Sequence, residues 1–271
     1  MMVAILFKCA LAAYLASTAI YAASLAVRRI AVAKAATWVL MSAFALHTIF
    51  IAFRWVETGQ SPVISSSEAV SFVAWAIVGL YLAFQIRTKT RVLGAFVAPI
   101  ALILVIGSSA DIVDNFRTPE MLNTSWVTIH VILSLAGGAF FALACVSAFI
   151  YLVQDKYLKK RKIDSMSRFL PPLRDLDRIN HISVIWGFML LTAGIVAGVV
   201  WARTVWGTEL QGDPKQVATL VSWLMCALLV HQRLAIGWKG KKAAFLSIGA
   251  FVFLLFAFVG VNLLFATVHS F

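Results

Sequence analysis

Charge is scarce in this chain. Only 13% of its 271 residues are Asp, Glu, Lys or Arg, about half the ~25% usual in soluble domains. That deficit excludes a soluble fold of this size, which needs polar surface the sequence does not supply. Acids are scarcer still, eleven against 23 basic residues. None falls well inside an apolar run, which argues against a carboxylate-driven proton or ion transporter. Cysteine is limited to Cys9, Cys145 and Cys226, with no CxxC or CxxCH. A thiol–disulfide catalyst and a cytochrome with covalently attached haem are therefore unsupported, and the three thiols read as small apolar packing residues. Low-complexity segments, a soluble domain and a strong internal repeat are missing as well.

Apolar residues fill the space that charge leaves. They make up 62% of the chain, the mean hydropathy is +0.94, and several runs reach the ~18 residues needed to cross a bilayer. Eight spans are expected, at about 2–27, 35–53, 69–86, 92–110, 126–153, 180–202, 216–232 and 243–268. The fold class is all-α: a polytopic membrane protein of about eight transmembrane helices, forming a single integral membrane domain over 1–271. The first run also has a signal-peptide reading, because Lys8 precedes a long apolar stretch with Ala and Ser near its end. It exceeds a usual h-region and stops at Arg28-Arg29, so it reads as a retained span.

Basic residues orient the chain. Loops 28–34, 87–91, 155–178 and 233–242 hold eighteen of the 23, while the opposite side carries Glu57, Glu68, Asp111, Asp114, Glu120, Glu209 and Asp213. The positive-inside rule makes the basic loops cytoplasmic and sets both termini outside. The net charge of +12 is then a topology signal, and no nucleic-acid partner follows from it. The run Lys156 to Lys162 reads as a loop solvated against anionic headgroups of the lipid bilayer, with a docking site for a cytoplasmic partner as the alternative.

Histidines are the ionisable groups that do enter the spans, and they fall into two layers. His47, His130 and His269 lie toward the outside; His181 and His231 lie near the cytoplasmic ends of spans six and seven. Imidazole is an axial ligand for haem iron, and two histidines from different helices can clamp one porphyrin. Ser134, Ala136, Gly137 and Gly138, following His130, leave room for a flat macrocycle or for a close helix. Taken singly, each histidine reads first as a hydrogen-bonded packing residue or an interfacial anchor; three in one outer layer bring the ligand reading level with it. Trp126 stands four residues before His130, on the same helix face. Trp55, Trp126, Trp201 and Trp206 sit at the outer interface, where aromatic belts are ordinary anchors. Gly194 and Gly198 form a GxxxG pair suited to helix packing within one chain or between chains.

The segment 198–223, GVVWARTVWGTELQGDPKQVATLVSW, resembles the tryptophan-rich WWD segment of the CcsA-type cytochrome c assembly family, whose pattern is approximately WGxxWxWDPKExW. Trp206, Gly207, Asp213, Pro214 and Lys215 match it, and His231 and Arg233 end the following helix. Gly59–Trp75 resembles the family's GxxPxxxxxExxxFxxW stretch, Trp126–Val131 (WVTIHV) its first external histidine segment, and Gly260–Ser270 its C-terminal end. The resemblance runs in order from about residue 45 to 271. It implies a haem-handling protein of the cell (inner, cytoplasmic) membrane, which presents non-covalent haem b at the outer face for attachment to apocytochrome c. It also implies a CcsB/ResB-like membrane partner. His130 and His269 resemble the external axial ligands, His231 resembles a within-membrane haem histidine, and His47, Trp126, Trp206, Asp213 and Pro214 complete the expected haem-binding set. If the chain has enzymatic chemistry, it is haem–thioether ligation, with no side chain placed as an evident acid or base.

Departures from the pattern point elsewhere. Leu210 and Gly212 stand where the family has tryptophan, and Gln216 replaces its glutamate. Two stacking rings are thereby missing, at ~0.5–1.5 kcal/mol each beyond area burial. His181 occupies a position where a tyrosine-like residue is expected. These features resemble HemX, a branch linked to regulation of haem biosynthesis without haem delivery.

Overall fold

A computed structural model describes residues 2–88, 90–109, 124–160, 169–206 and 213–264. Each of the eight expected segments contains a helix among its described residues: α1 (Met2–Val27), α2 (Ile30–Thr58), α3 (Ser66–Thr88), α4 (Gly94–Gly107, entered through a 3-10 turn at Arg91–Leu93), α5 (Ser125–Lys159), α6 (Leu173–Trp206), α7 (Pro214–Leu234) and α8 (Lys241–Leu255). A π turn at Phe256–Gly260 and a last short helix, α9 (Val261–Leu264), continue α8. Seven of these segments are long and apolar enough to cross a membrane, whereas Arg91–Gly107 is shorter. Pro99 lies inside that shorter helix. Large apolar side chains such as Trp38, Ile103 and Trp186 are more than half exposed, which suits lipid as the surrounding solvent. The polytopic all-α expectation therefore holds, with several helices extending beyond the hydropathy limits; α5, for instance, reaches Lys159 and α6 begins at Leu173.

The chain divides into two compact units, 1–118 with 153–175, and 119–152 with 176–271. In the first, α1 turns one face inward through Val3, Phe7, Ala10, Tyr14, Ser17, Tyr21 and Ser24. The facing stripe of α2 is rich in small residues, Ala33, Ala36, Thr37 and Ala43, which lets the two backbones approach closely. Polar groups inside this unit pair with one another. Tyr21 Oη lies 2.8 Å from Thr37 Oγ1 and 3.0 Å from Tyr81 Oη, and Ser17 donates to the Ala36 carbonyl at 3.1 Å. Gly94 is required beside this cluster, because a Cβ there would fall 2.2 Å from Tyr21 Cζ.

Local chemistry sets the helix ends. Gly59 closes α2 in the left-handed region at φ 63°, its N–H donating to the Trp55 carbonyl, as a C-terminal glycine allows. At the start of α3, Glu68 N–H donates to Ser65 Oγ at 3.2 Å and Ser65 N–H donates to Glu68 Oε2 at 3.3 Å. This is a reciprocal capping box. Arg54 Nε adds an ion pair to Glu68 Oε1 at 3.1 Å. The family-like glutamate is thus a helix-start residue in this fold.

The second unit packs Phe141, Ala144, Val184, Leu191, Cys226, Leu229, Ala250 and Leu254 into one core. Helices α5 and α6 meet through missing side chains: a Cβ on Gly137 would lie 3.0 Å from the Gly187 carbonyl oxygen, and one on Gly187 would lie 2.8 Å from Phe141 Cδ2. Near the other end of the unit, Arg233 ties four helices together. It donates to Asp177 Oδ1 at 3.1 Å and to Asn180 Oδ1. Asn180 in turn donates to the Ala144 carbonyl at 2.7 Å and accepts from Ser247, and Asp177 accepts the Gly240 N–H.

Candidate functional site at His130

His130 sits one turn into α5, half-buried, and its ring nitrogen Nδ1 lies 2.7 Å from the Gly194 carbonyl oxygen on α6. A carbonyl can only accept, so Nδ1 carries a proton, and in a neutral ring Nε2 is then the basic nitrogen. That tautomer is the one a metal-binding imidazole needs, oriented by a hydrogen bond from its other nitrogen. One turn further along α6, Gly198 supplies the space: a Cβ there would fall 2.6 Å from His130 Nδ1 and 2.8 Å from Cε1. A Cβ on Gly194 would meet Ser134 Oγ at 2.6 Å. The GxxxG pair is therefore the seat of His130 and Ser134 within this unit. Of the two readings left open after His130, Gly137 takes the close helix, while a Cβ on Gly138 would meet nothing within 4 Å.

A recess opens beside the ring, lined by His130, Ser134, Leu191, Thr219, Trp223 and Phe258, among others. Its cavity volume is about 40 Å³, well below the ~300–1,000 Å³ typical of small-molecule sites, so a macrocycle enters only if the walls part. Trp223 is held in place by stacking on Phe188 at 5.5 Å and by donating its indole N–H to Thr192 Oγ1 at 2.9 Å. The walls are thus apolar and aromatic, with one oriented imidazole among them. That chemistry fits a flat, largely apolar macrocycle that needs an axial nitrogen. Among the described residues, no group of three or more His, Cys, Asp and Glu is arranged to hold a metal ion. A single imidazole suits an iron whose other donors arrive with it.

The remaining expected site residues are distributed more widely. His269 and Gly207–Gly212, including the Leu210 and Gly212 departures, lie outside the described residues. Trp206 is the final residue of α6. Asp213 is the buried N-cap of α7 with an extended backbone, and Pro214 is its first helical residue. That pair starts a helix well, since proline needs no N–H partner there and its φ is already helical. Trp126 is 47% exposed and Trp201 is buried. His231 is exposed near the end of α7, two residues before the buried Arg233, and His181 is half-buried.

His47 belongs to the first unit. It is buried, with Nδ1 3.2 Å from Tyr14 Oη and Nε2 2.9 Å from Ser71 Oγ. Both nitrogens are engaged within that unit, the arrangement of a packing histidine. Two groups escaped sequence reasoning. Trp223 stands in the sequence only as the last residue of the family-like segment 198–223. The Arg233–Asp177–Asn180 cluster was visible only as an arginine near the end of an apolar helix.

Comparison with known proteins bears on the same region. A model of the family described as "Cytochrome C assembly protein" matches residues 63–269, which include His130 and the whole second-unit core. The chain belongs to the cytochrome c assembly protein family. It is 30% identical over 262 residues to the cytochrome c biogenesis protein CcsA of Chlorella vulgaris, covering 85% of this chain and 83% of that protein. The corresponding protein of Guillardia theta is 29% identical over 243 residues, covering 83% and 81%. That of Prochlorococcus marinus strain SARG is 25% identical over 259 residues, covering 86% and 82%.

Proposed function

We propose that this protein acts in cytochrome c biogenesis as a membrane haem-handling protein that holds non-covalent haem b through His130. The observation that carries the reading is His130 Nδ1 donating at 2.7 Å to the Gly194 carbonyl, which orients the imidazole in the lining of the recess. Family membership over 63–269 and the CcsA relatives supply the biological context. Haem, when bound, supplies the vinyl carbons to which an apocytochrome's thiols attach. The chain's own residues orient the imidazole, present an aromatic wall at Trp223 and Phe258, and surround the site with apolar side chains that limit water. His269 is the proposed second axial ligand, with Trp126, Trp206, Asp213 and Pro214 forming the rim on which haem is displayed. His231 is the proposed ligand of a separate inner site. The distribution of basic loops supports both termini lying on the outer side of the cell membrane, with a CcsB/ResB-like protein and apocytochrome c as the proposed partners.

The test is the reduced-minus-oxidised visible spectrum of the detergent-purified protein beside His130→Ala and His269→Ala. A haem spectrum lost in both variants supports bis-histidine ligation; a spectrum unchanged in His130→Ala rules the site out. Deletion of the gene should abolish c-type cytochromes. Intact cytochromes with altered amounts of a haem-biosynthetic enzyme would instead favour the HemX-like regulatory role.

A further inference from the structure

The last helix does not run straight past the His130 recess. At Phe256–Gly260 it widens into a π turn, in which Val261 N–H donates to the Phe256 carbonyl five residues back. Such turns insert one residue into a helix at a cost in backbone geometry, and they concentrate at functional sites. Ala257 and Phe258, both within this turn, line the recess together with His130, Thr219 and Trp223. The turn is anchored on its N-terminal side, where Ser222 Oγ on α7 donates to the Phe253 carbonyl at 3.0 Å. Ser222 neighbours Trp223, so one contact links the aromatic wall to the start of the turn.

Gly260 closes the turn. The ring of Phe256, four residues earlier, lies over its Cα. A Cβ at this position would fall 2.5 Å from Phe256 Cδ2, 3.0 Å from Cε2 and 3.2 Å from Cγ. The three nearest atoms all belong to one ring, so a larger residue at 260 must displace Phe256. That ring is 46% exposed and has room to leave, so the fold survives the change while the turn is reshaped. One inserted residue also rotates Val261–Leu264 by roughly 100° relative to an unbroken helix, at 3.6 residues per turn.

We infer that Gly260 is a positioning residue: by letting the π turn close under Phe256, it sets the wall of the His130 recess and the azimuth of Val261–Leu264 after it. The inference rests on the recess being the haem site, and it supplies the reason for a glycine at 260. Gly260→Ala, Phe256→Ala and the double variant test it by two readouts. The first is haem retained per protein, with its visible spectrum. The second needs no haem: the rate at which a small methanethiosulfonate labels Thr219→Cys in the recess, resolved from Cys9, Cys145 and Cys226 by peptide mass spectrometry.

Gly260→Ala is expected to change the labelling rate several-fold and to lower haem retention several-fold. Phe256→Ala added to it should restore both toward the Phe256→Ala values, because the nearest clash is with that ring. An unchanged labelling rate in Gly260→Ala overturns the inference whether or not haem binds. Failure of the double variant to recover overturns it as well. If His130→Ala leaves haem in place while Gly260 still governs labelling, the haem site is misassigned and the wall stands.

Discussion

Replacing Gly198 by alanine is the sharpest perturbation of the His130 seat. An added Cβ would meet the imidazole at 2.6 Å from Nδ1 and 2.8 Å from Cε1, so the ring must retreat by roughly 1 Å to reach an unstrained separation of ~3.5–4.0 Å. The 2.7 Å bond to Gly194 cannot survive that shift with good geometry. Loss of an orienting bond to a ligating histidine typically costs ~10–100-fold in affinity, or about 1.4–2.8 kcal/mol. Helix propensity works the other way, since Gly→Ala in a helix interior gains up to ~1 kcal/mol. Gly198→Ala should therefore bind haem ~10–100-fold more weakly in a visible-absorbance titration, without a matching fall in thermal stability in detergent. Gly138→Ala is the control: its Cβ would meet nothing within 4 Å, and its titration should follow the parent protein. Wild-type affinity and spectrum in Gly198→Ala would refute the seat.

Two further outcomes follow from the packing. Arg233→Ala removes the cation from Asp177 and Asn180 at a site where the Arg233 side chain is 2% exposed and that of Asp177 is 23% exposed. Breaking a buried pair costs ~3–5 kcal/mol, and partial exposure of Asp177 puts this one at or below the lower end; detergent unfolding measures it, and a loss under ~1 kcal/mol would contradict the structural role. His47→Leu strands the Tyr14 and Ser71 hydroxyls and should cost about 1–3 kcal/mol in stability. The haem spectrum due to His130 should persist, and its loss would return His47 to the ligand set.

Hydropathy alone determined the helices and, through the basic loops, a proposed orientation. Both rest on sums taken along one local stretch: lipid demands long apolar runs whose backbone bonds close internally, and lysine and arginine report the side on which a loop stays. The family-like motifs were legible for a similar reason, since Asp213-Pro214 and Ser65–Glu68 work locally, as helix starts. Roles that depend on which faces meet were not legible. His47 and His130 looked alike in sequence, each a histidine in the outer part of a span. Yet one has both nitrogens bonded inside the first unit, and the other has its tautomer set by a carbonyl 64 residues away. The GxxxG pair read as generic helix packing, and tertiary structure made it a seat for one imidazole. Trp223 became a wall only when α7 was laid beside α6. These outcomes depend on the azimuth and axial offset of one helix against another, which no periodicity within a single span encodes.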